Sequence, residues 1–157
     1  MESALVSVCI PAYNNEDTII ETIQSVLAQT YQHLELIVVD DRSTDETYAR
    51  VEQFAKDARD ERLRLYRNEK NLGMAGNWNR CMELCEGAFI KLLCADDLIH
   101  ESLLSREVAI MEQYPDFVCM ESGQDSDAHK TVCTVDVCNH SRGNISVRKK
   151  DIFMATY

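Results

Sequence analysis

The chain alternates between apolar runs and segments in which apolar residues recur at helical spacing. The apolar runs are Leu5–Ile10, Leu34–Asp41, Leu63–Tyr66 and Phe89–Leu98. The first helical segment carries Ile19, Ile23 and Val26 on one face, and similar segments follow the other runs. The order β-α-β-α-β-α-β-α predicts an α/β fold, with a mostly parallel sheet and helices on both faces.

Short signals predict where the elements begin and end. We expect Asn14 or Asn15 to cap the first helix, and the segment from Ser43 to Glu46 has the pattern of a capping box, which predicts a structural role for Ser43. Gly87 fits the C-cap region of the third helix. The fourth helix is predicted over 101–114, and strands are predicted at 117–120 and 131–137.

Two of the predicted strands end in a pair of acids, Asp40–Asp41 and Asp96–Asp97. In open parallel sheets the ligand crevice lies outside the carboxyl ends of the strands, so these acids point towards an expected site. A turn in which Asp caps the next helix is the structural alternative. The repeated pattern favours a site in which Asp96 and Asp97 hold a hard divalent cation.

A nucleotide pocket without a glycine loop is predicted where the strand ends meet. Tyr13 follows the first strand and can stack on a base, although a core or turn aromatic is the commoner role for such a residue. Asp41 can accept from a base N–H or a ribose hydroxyl, and Asp40 is expected only to finish its strand. The nucleotide's diphosphate would bind through a divalent ion that the aspartates hold.

Charge and missing motifs exclude several classes of protein. The formal net charge of −11 over 157 residues repels polyanions, so we expect no nucleic-acid partner. A diphosphate can still bind if backbone N–H groups, local basic residues or a divalent metal supply positive charge. The sequence has no G-x-G-x-x-G after its first strand, no P-loop and no G-x-S-x-G, which disfavours dinucleotide-binding, P-loop and serine-hydrolase functions.

The cysteines indicate a reducing compartment. Seven cysteines form an odd set without C-x-x-C, and most have apolar neighbours, which predicts buried reduced thiols rather than a disulfide framework or a zinc site. No apolar stretch approaches the ~20 residues that a spanning helix needs. We therefore expect a cytoplasmic protein, with contact at the inner face of the membrane as an option.

Four segments together resemble the family 2 inverting glycosyltransferases, which have the Rossmann-like GT-A nucleotide-sugar-binding fold. The segments are V-S-V-C-I-P-A-Y-N-N-E, E-L-I-V-V-D-D-R-S-T-D-E-T, N-L-G-M-A-G-N-W-N and the DXD-like A-D-D-L, and the resemblance covers Val6 to Tyr114. It implies a set of binding residues: Pro11, Ala12, Tyr13 and Asp41 around the base with Glu16 close to the same edge, Asn71, Gly73 and Asn77 near the nucleoside, Asp96 at ribose and metal, and Asp97 on the metal.

The resemblance also implies an activity and its cofactor. A sugar would pass from a nucleotide-diphosphate sugar to an acceptor hydroxyl with inversion, helped by Mg²⁺ or Mn²⁺, as in polysaccharide biosynthesis. The acceptor could be a saccharide, a lipid-linked molecule or a protein. The alternative is a non-catalytic nucleotide-sugar-binding or interaction protein that lacks the acceptor half.

Two departures from the family pattern affect these expectations. Arg42 stands where relatives often have glycine, so it must be accommodated without glycine's freedom at positive φ. The chain stops at Tyr157, where the family normally continues into an acceptor-side segment carrying the catalytic base. We therefore expect 1–157 to be a single, truncated donor-binding domain with no assignable base and very slow transfer on its own, and one that could form a homodimer through exposed apolar surface.

Overall fold

The computed structural model describes residues 3–113, 119–122 and 153–156. Its elements follow the predicted alternation of strands and helices. In chain order they are β1 Val6–Ala12, α1 Ile19–Leu27, β2 Leu34–Asp40, α2 Thr47–Ala58, β3 Leu63–Arg67, α3 Gly73–Leu84, β4 Phe89–Leu92, α4 Leu103–Gln113, β5 Cys119–Ser122 and β6 Phe153–Thr156.

The strands form one sheet in the order β3-β2-β1-β4-β6-β5, and every pairing is parallel. The register places Ala12 beside Asp40 and Asp40 beside Arg67, so the carboxyl ends of β1, β2 and β3 lie at one edge. The predicted α/β class is confirmed. Since all these ends meet at the same edge, polar residues that follow the strands are brought together there.

Helices pack on both faces of the sheet, and β1 and β2 are therefore buried on both sides. Val6, Val8 and Ile10 contribute to one apolar cluster, which contains residues of α1, α2 and α4. Cys9 and Ile37 contribute to the other cluster, which includes residues of α3. Parallel strands covered on both faces give near-continuous apolar runs, which is why the sequence located them correctly.

The last apolar run forms a shorter strand than its sequence suggests. β4 ends at Leu92, and the chain then turns at Ala95 and Asp96. Leu93 and Ala95 are buried, but as part of the turn rather than of the strand. Asp96 and Asp97 therefore lie in a turn beyond the strand end, not on the strand itself.

The predicted helix caps are wrong because the candidate residues bond elsewhere. α1 begins at Ile19 with Thr18 at its N-cap position, while the Asn15 side chain accepts from the Tyr13 backbone N–H at 2.9 Å. α2 begins at Thr47 with Glu46 at its N-cap, and the Ser43 hydroxyl accepts from the Asn14 N–H at 3.0 Å. Ser43 therefore has the predicted structural role, but its hydroxyl joins the loop after β2 to the loop after β1 instead of capping a helix.

Gly87 is required by a close approach rather than by a helix cap. The C-cap of α3 is Cys85, in extended conformation. A Cβ atom at position 87 would lie 2.6 Å from the Ser7 backbone nitrogen and 2.7 Å from the Leu5 carbonyl oxygen. Glycine is therefore needed for the chain to pass β1 on its way into β4.

The remaining predictions are met in part. α4 spans Leu103–Gln113, close to the predicted 101–114, and β5 overlaps the strand predicted at 117–120. The strand predicted at 131–137 lies outside the described residues, and β6 was not predicted. No helix in the described part of the chain is both long and apolar enough to cross a membrane.

A buried ion pair joins β4 to α4. The Lys91 ammonium lies 2.9 Å from Glu107 Oε1, and both side chains are almost fully buried. Burial raises the pKa of Glu107, and the charge of Lys91 and its hydrogen bond oppose that shift. Because each charge is removed from water, this pair is costly to break on one side only.

We expect Lys91→Met to lower the free energy of unfolding by about 3–5 kcal/mol, because the Glu107 carboxylate would remain buried without its counterion. Urea denaturation measures the change. Lys56→Met is the matched control: Lys56 forms an exposed pair with Glu52 at 2.8 Å, and its loss should cost less than about 1 kcal/mol. The double variant Lys91→Met/Glu107→Leu should regain most of the loss, and an equally unstable double variant would contradict this interpretation.

Candidate functional site

A cavity of about 440 Å³ opens at the carboxyl edge of the sheet, within the size range of small-molecule sites. It lies between the ends of β1 and β2, the first turns of α3 and the turn after β4. Its lining residues are Pro11, Ala12, Tyr13, Asn15, Asp41, Asn71, Gly73, Met74, Asn77, Trp78, Cys94, Ala95 and Asp96.

The end of β1 supplies one wall of the cavity and an exposed aromatic ring. Ala12 is buried, and the chain leaves the sheet through Tyr13, whose side chain is 47% exposed. Asn14 follows with a φ of 54°, in the left-handed region that asparagine tolerates better than most residues. An exposed tyrosine at a cavity wall offers a flat surface on which a planar ring can stack.

A buried polar network fixes the wall on the β2 side. Asp41 Oδ1 accepts from the Asn68 side chain at 2.8 Å and from the Leu72 N–H at 2.8 Å. Asn68 also donates to Asn77 Oδ1 at 2.9 Å, and Asn77 donates to the Val39 carbonyl at 3.0 Å. Within the described residues no hydrogen bond reaches Asp41 Oδ2, so that oxygen is left for a ligand in the cavity.

Asp40 is bound to the protein rather than to the cavity. Its carboxylate pairs with Arg67 at 3.0 Å, and the Arg67 guanidinium lies 4.5 Å from the centre of the Tyr48 ring. These contacts are consistent with the prediction that Asp40 only ends its strand.

Arg42 follows this pair of acids at a φ of 63°, with its side chain exposed. Arginine therefore adopts here the left-handed conformation that glycine would enter more easily.

The turn after β4 brings a thiol and two carboxylates together. The ligand atoms of Cys94, Asp96 and Asp97 all lie within 4.8 Å of one another. Burial raises the pKa of Asp97, and the charge of Asp96 raises it further, while a hydrogen bond with Cys94 lowers it. Burial also raises the pKa of the Cys94 thiol, with the charges of Asp97 and Asp96 adding to the effect.

Two hydroxyl groups of the first helical segment hold this turn in place. Thr18 Oγ1 and Thr22 Oγ1 donate to the Ala95 carbonyl oxygen at 2.9 and 3.0 Å. The turn is closed by a bond from the Asp97 N–H to the Cys94 carbonyl at 3.2 Å. The backbone between the two acids and the thiol is therefore anchored to α1.

Among the residues that the structure describes, acidic side chains line the cavity and basic ones do not. Asp41 and Asp96 contribute carboxylates, and neither lysine nor arginine lines it. A neighbouring depression of about 340 Å³ shares Asn15 and Asp96 and adds Glu16, Asp17 and Asp45. A bound diphosphate would need positive charge from another source, and a divalent cation at Asp96 and Asp97 fits this requirement. Two carboxylates offer the oxygen ligands that such an ion prefers.

The structure gathers most of the predicted residues. Eight of them line the main cavity: Pro11, Ala12, Tyr13, Asp41, Asn71, Gly73, Asn77 and Asp96. Glu16 lies in the neighbouring depression, where its carboxylate accepts from the Glu46 N–H at 2.9 Å. Asp97 lines neither space but belongs to the cluster with Asp96.

Sequence reasoning missed five residues of the site. Asn15, Met74, Trp78 and Cys94 line the cavity, and Asn68 holds its wall. The position of Asn68 directly after the third strand is a signal that could have found it, because polar residues at strand ends meet at this edge. Cys94 stands two residues before Asp96 and could have been found in the same way.

Comparison with known proteins identifies the family to which the chain is similar. The model of the family described as Glycosyl transferase family 2 matches residues 7–132. The UDP-Glc:alpha-D-GlcNAc-diphosphoundecaprenol beta-1,3-glucosyltransferase WfgD of Escherichia coli is 40% identical over 71% of the chain, and the putative glycosyltransferase EpsE of Bacillus subtilis is 36% identical over 75%. The chain spans 42% of the length of each of these two relatives.

Solved structures show the same fold. S. aureus TarS 1–349 in complex with UDP superposes with a TM-score of 0.66 and 30% identity, over 74% of this chain and 35% of that one. The mannosyltransferase PcManGT of Pyrobaculum calidifontis, in complex with GDP-Man and Mn²⁺, gives a TM-score of 0.68 and 27% identity, over 77% of this chain and 35% of that one. The predicted Rossmann-like GT-A fold is confirmed.

The network around Asn68 can be tested by removing its carboxamide. Asn68→Ala removes the donor to Asn77 Oδ1 and one of the two donors to Asp41 Oδ1, so we expect the free energy of unfolding to fall by about 1–3 kcal/mol. Asn79→Ala is the control, because Asn79 is an exposed residue of α3 and its replacement should change stability by less than about 0.5 kcal/mol. Equal urea midpoints for the two variants would contradict a role for Asn68 in holding the wall.

Proposed function

Because the chain belongs to glycosyl transferase family 2, we propose that it forms the donor-binding part of a glycosyltransferase. The donor is a nucleotide-diphosphate sugar, and the acceptor hydroxyl attacks the anomeric carbon from the face opposite the diphosphate. The bond to the diphosphate breaks as the new glycosidic bond forms, which inverts the anomeric centre. The names of similar proteins support this donor class, since they include UDP-Glc, UDP bound to TarS and GDP-Man bound to PcManGT.

The observation that carries the proposal is the cavity at the carboxyl edge of the sheet. Its lining joins an exposed tyrosine, an acid with one oxygen free of hydrogen bonds and an acidic turn in one space of about 440 Å³. Tyr13 would stack on the base, and Asp41 Oδ2 would accept from a base N–H. Asn71, Gly73 and Asn77 would lie against the nucleoside, and Asp96 would face the ribose and the diphosphate side.

Asp96 and Asp97 would hold a divalent cation, Mg²⁺ or Mn²⁺. When bound, this ion would supply the positive charge that the described lining lacks, and so stabilise the charge that develops on the leaving diphosphate. The acidic residues alone would repel a diphosphate, so we expect donor binding to depend on the cation. The acceptor is a saccharide, a lipid-linked molecule or a protein.

A calorimetric or thermal-shift screen tests the donor assignment. UDP, GDP, UDP-Glc, UDP-GlcNAc and GDP-Man are each added with Mn²⁺ and with EDTA. A ligand at 100 times its dissociation constant should stabilise the protein by about 2.7 kcal/mol. Absence of a shift with every nucleotide would overturn the proposal. Transfer to hydroxyl acceptors is then assayed on this chain and on any longer native form, and binding without any transfer would favour a non-catalytic nucleotide-sugar-binding protein.

Asp97→Asn should weaken nucleotide binding in Mn²⁺ by about tenfold or more, because one charged oxygen ligand is lost. Binding in EDTA should not change. Asp57→Asn makes the same chemical change on the exposed side of α2 and is the matched control. If isothermal titration gives equal affinities for wild type and Asp97→Asn in Mn²⁺, Asp97 is not a ligand.

Asp41→Ala should weaken nucleoside diphosphate binding to the same extent with Mn²⁺ and with EDTA, because its proposed contact is to the base. The alanine variant also loses the bonds to Asn68 and Leu72. Asp41→Asn separates the two effects, since its carbonyl oxygen can keep those bonds while its amide group cannot accept from the base. Weak binding by both variants supports a contact to the base, whereas normal binding by Asp41→Asn would limit Asp41 to holding the wall.

A further inference from the structure

We propose that Cys94 is a third protein ligand of the cation site, and that its sulfur makes the site select transition-metal ions such as Mn²⁺ and Zn²⁺ over Mg²⁺. This inference rests on the cation in the proposed function and deepens it. The pair of acids alone predicts a hard, all-oxygen site. The structure adds a sulfur atom to the same cluster.

The geometry of the turn places the three side chains around one point. Cys94 Sγ and the carboxylate oxygens of Asp96 and Asp97 lie within 4.8 Å of one another. In a tetrahedral zinc site, ligand atoms at about 2.0–2.3 Å from the ion lie about 3.3–3.8 Å apart. Side-chain rotations that bring the three atoms about 1 Å closer together would therefore place them on a single ion. Thr18 and Thr22 fix the intervening carbonyl of Ala95, so the backbone of the cluster is already in place.

Charge provides an independent argument for a cation at this point. Of the four buried acids in the described chain, three have basic partners: Asp40 pairs with Arg67, Glu35 with Arg64 and Glu107 with Lys91. The fourth, Asp41, is held by hydrogen bonds from Asn68 and Leu72. Asp96 and Asp97 form no ion pair within the described residues, although they lie side by side. A divalent ion would relieve the repulsion between them. Asp96 is exposed, which leaves room for diphosphate oxygens or water to complete the coordination.

Cys94 also differs from the other described cysteines. Cys9 and Cys81 are fully buried in the apolar cluster between the sheet and α3, and Cys85 packs against that cluster. Cys94 lines the cavity instead, beside Asp96. A small apolar residue would fill a core position equally well, whereas a thiol at the cavity wall can bind a metal.

The sulfur determines which ions are preferred. Mg²⁺ demands oxygen ligands in near-octahedral geometry, and a thiolate is a poor ligand for it. Affinity for a given site of nitrogen, oxygen or sulfur ligands rises from Mn²⁺ towards Zn²⁺, and soft thiolates select Zn²⁺ in particular. The donor set of two carboxylates and one thiolate therefore favours Zn²⁺ and Mn²⁺ over Mg²⁺.

Absorption spectroscopy with Co²⁺ tests whether the sulfur binds a metal. Wild-type protein titrated with Co²⁺ should show a thiolate-to-metal charge-transfer band in the near ultraviolet. Cys94→Ser should remove this band, and Cys85→Ser, which alters a partly buried thiol away from the cavity, should keep it. A band of equal strength in wild type and Cys94→Ser would overturn the proposal, and so would the absence of a band in wild type that binds Co²⁺.

Competition titrations then test the preference among ions. The ratio of the Mg²⁺ to the Zn²⁺ dissociation constant should fall by about tenfold or more in Cys94→Ser, the size of effect that even outer-shell changes produce at metal sites. Cys94→Asp supplies a third oxygen and should shift the preference towards Mg²⁺. An unchanged ratio in both variants would overturn the proposal.

The outcomes separate this inference from the proposed function. If nucleotides fail to bind but Co²⁺ gives a Cys94-dependent band, the donor assignment is wrong and the sulfur ligand stands. If nucleotides bind equally well in EDTA and no cation binds, the donor site stands and the cation site, with Cys94, is wrong.

Discussion

The carboxamide of Asn68 joins the three segments that form the nucleoside side of the cavity. It donates to Asp41 at the end of β2 and to Asn77 in α3, and its own backbone N–H bonds to the Asp40 carbonyl at 2.9 Å. A buried polar network of this kind is stable only when its members are satisfied together, because an unpaired buried acceptor is costly. Together with the bonds from Leu72 to Asp41 and from Asn77 to Val39, this side chain therefore sets the position of the first turn of α3.

The fold was predictable because its strongest signal is burial. β1 and β2 are covered on both faces, so their sequences are continuous apolar runs that no surface strand would have. Element ends were harder to place, because a polar side chain near a helix start has several possible partners. Ser43 has the spacing of a capping residue, yet it accepts from Asn14, which is distant in sequence. The role of Gly87 could not be predicted for the same reason, because the close contact that requires glycine is with the chain at β1, which is distant in sequence.

The candidate site was predictable where a residue directly follows a strand, and less so where its role comes from a tertiary contact. Tyr13, Asp41 and Asp96 could be located because parallel strands end at one edge. Asn68 appears in the sequence as one polar loop residue among several, and only the fold shows that it bridges two acceptors. Cys94 appears as part of an apolar run, because the run continues past the end of the strand into the turn.

The two sides of the cavity are stabilised differently, and this difference couples the ligands that each side would bind. On the nucleoside side, hydrogen bonds from Asn68 and Leu72 hold the Asp41 carboxylate, so this side keeps its shape without a cation. The side formed by Asp96 and Asp97 concentrates like charges without a basic partner in the described chain, so a cation lowers its energy and then attracts a diphosphate. Because linkage is reciprocal, the diphosphate must raise the affinity for the cation by the same factor. A nucleoside without the diphosphate should therefore bind with little dependence on metal, since it touches only the side around Asp41.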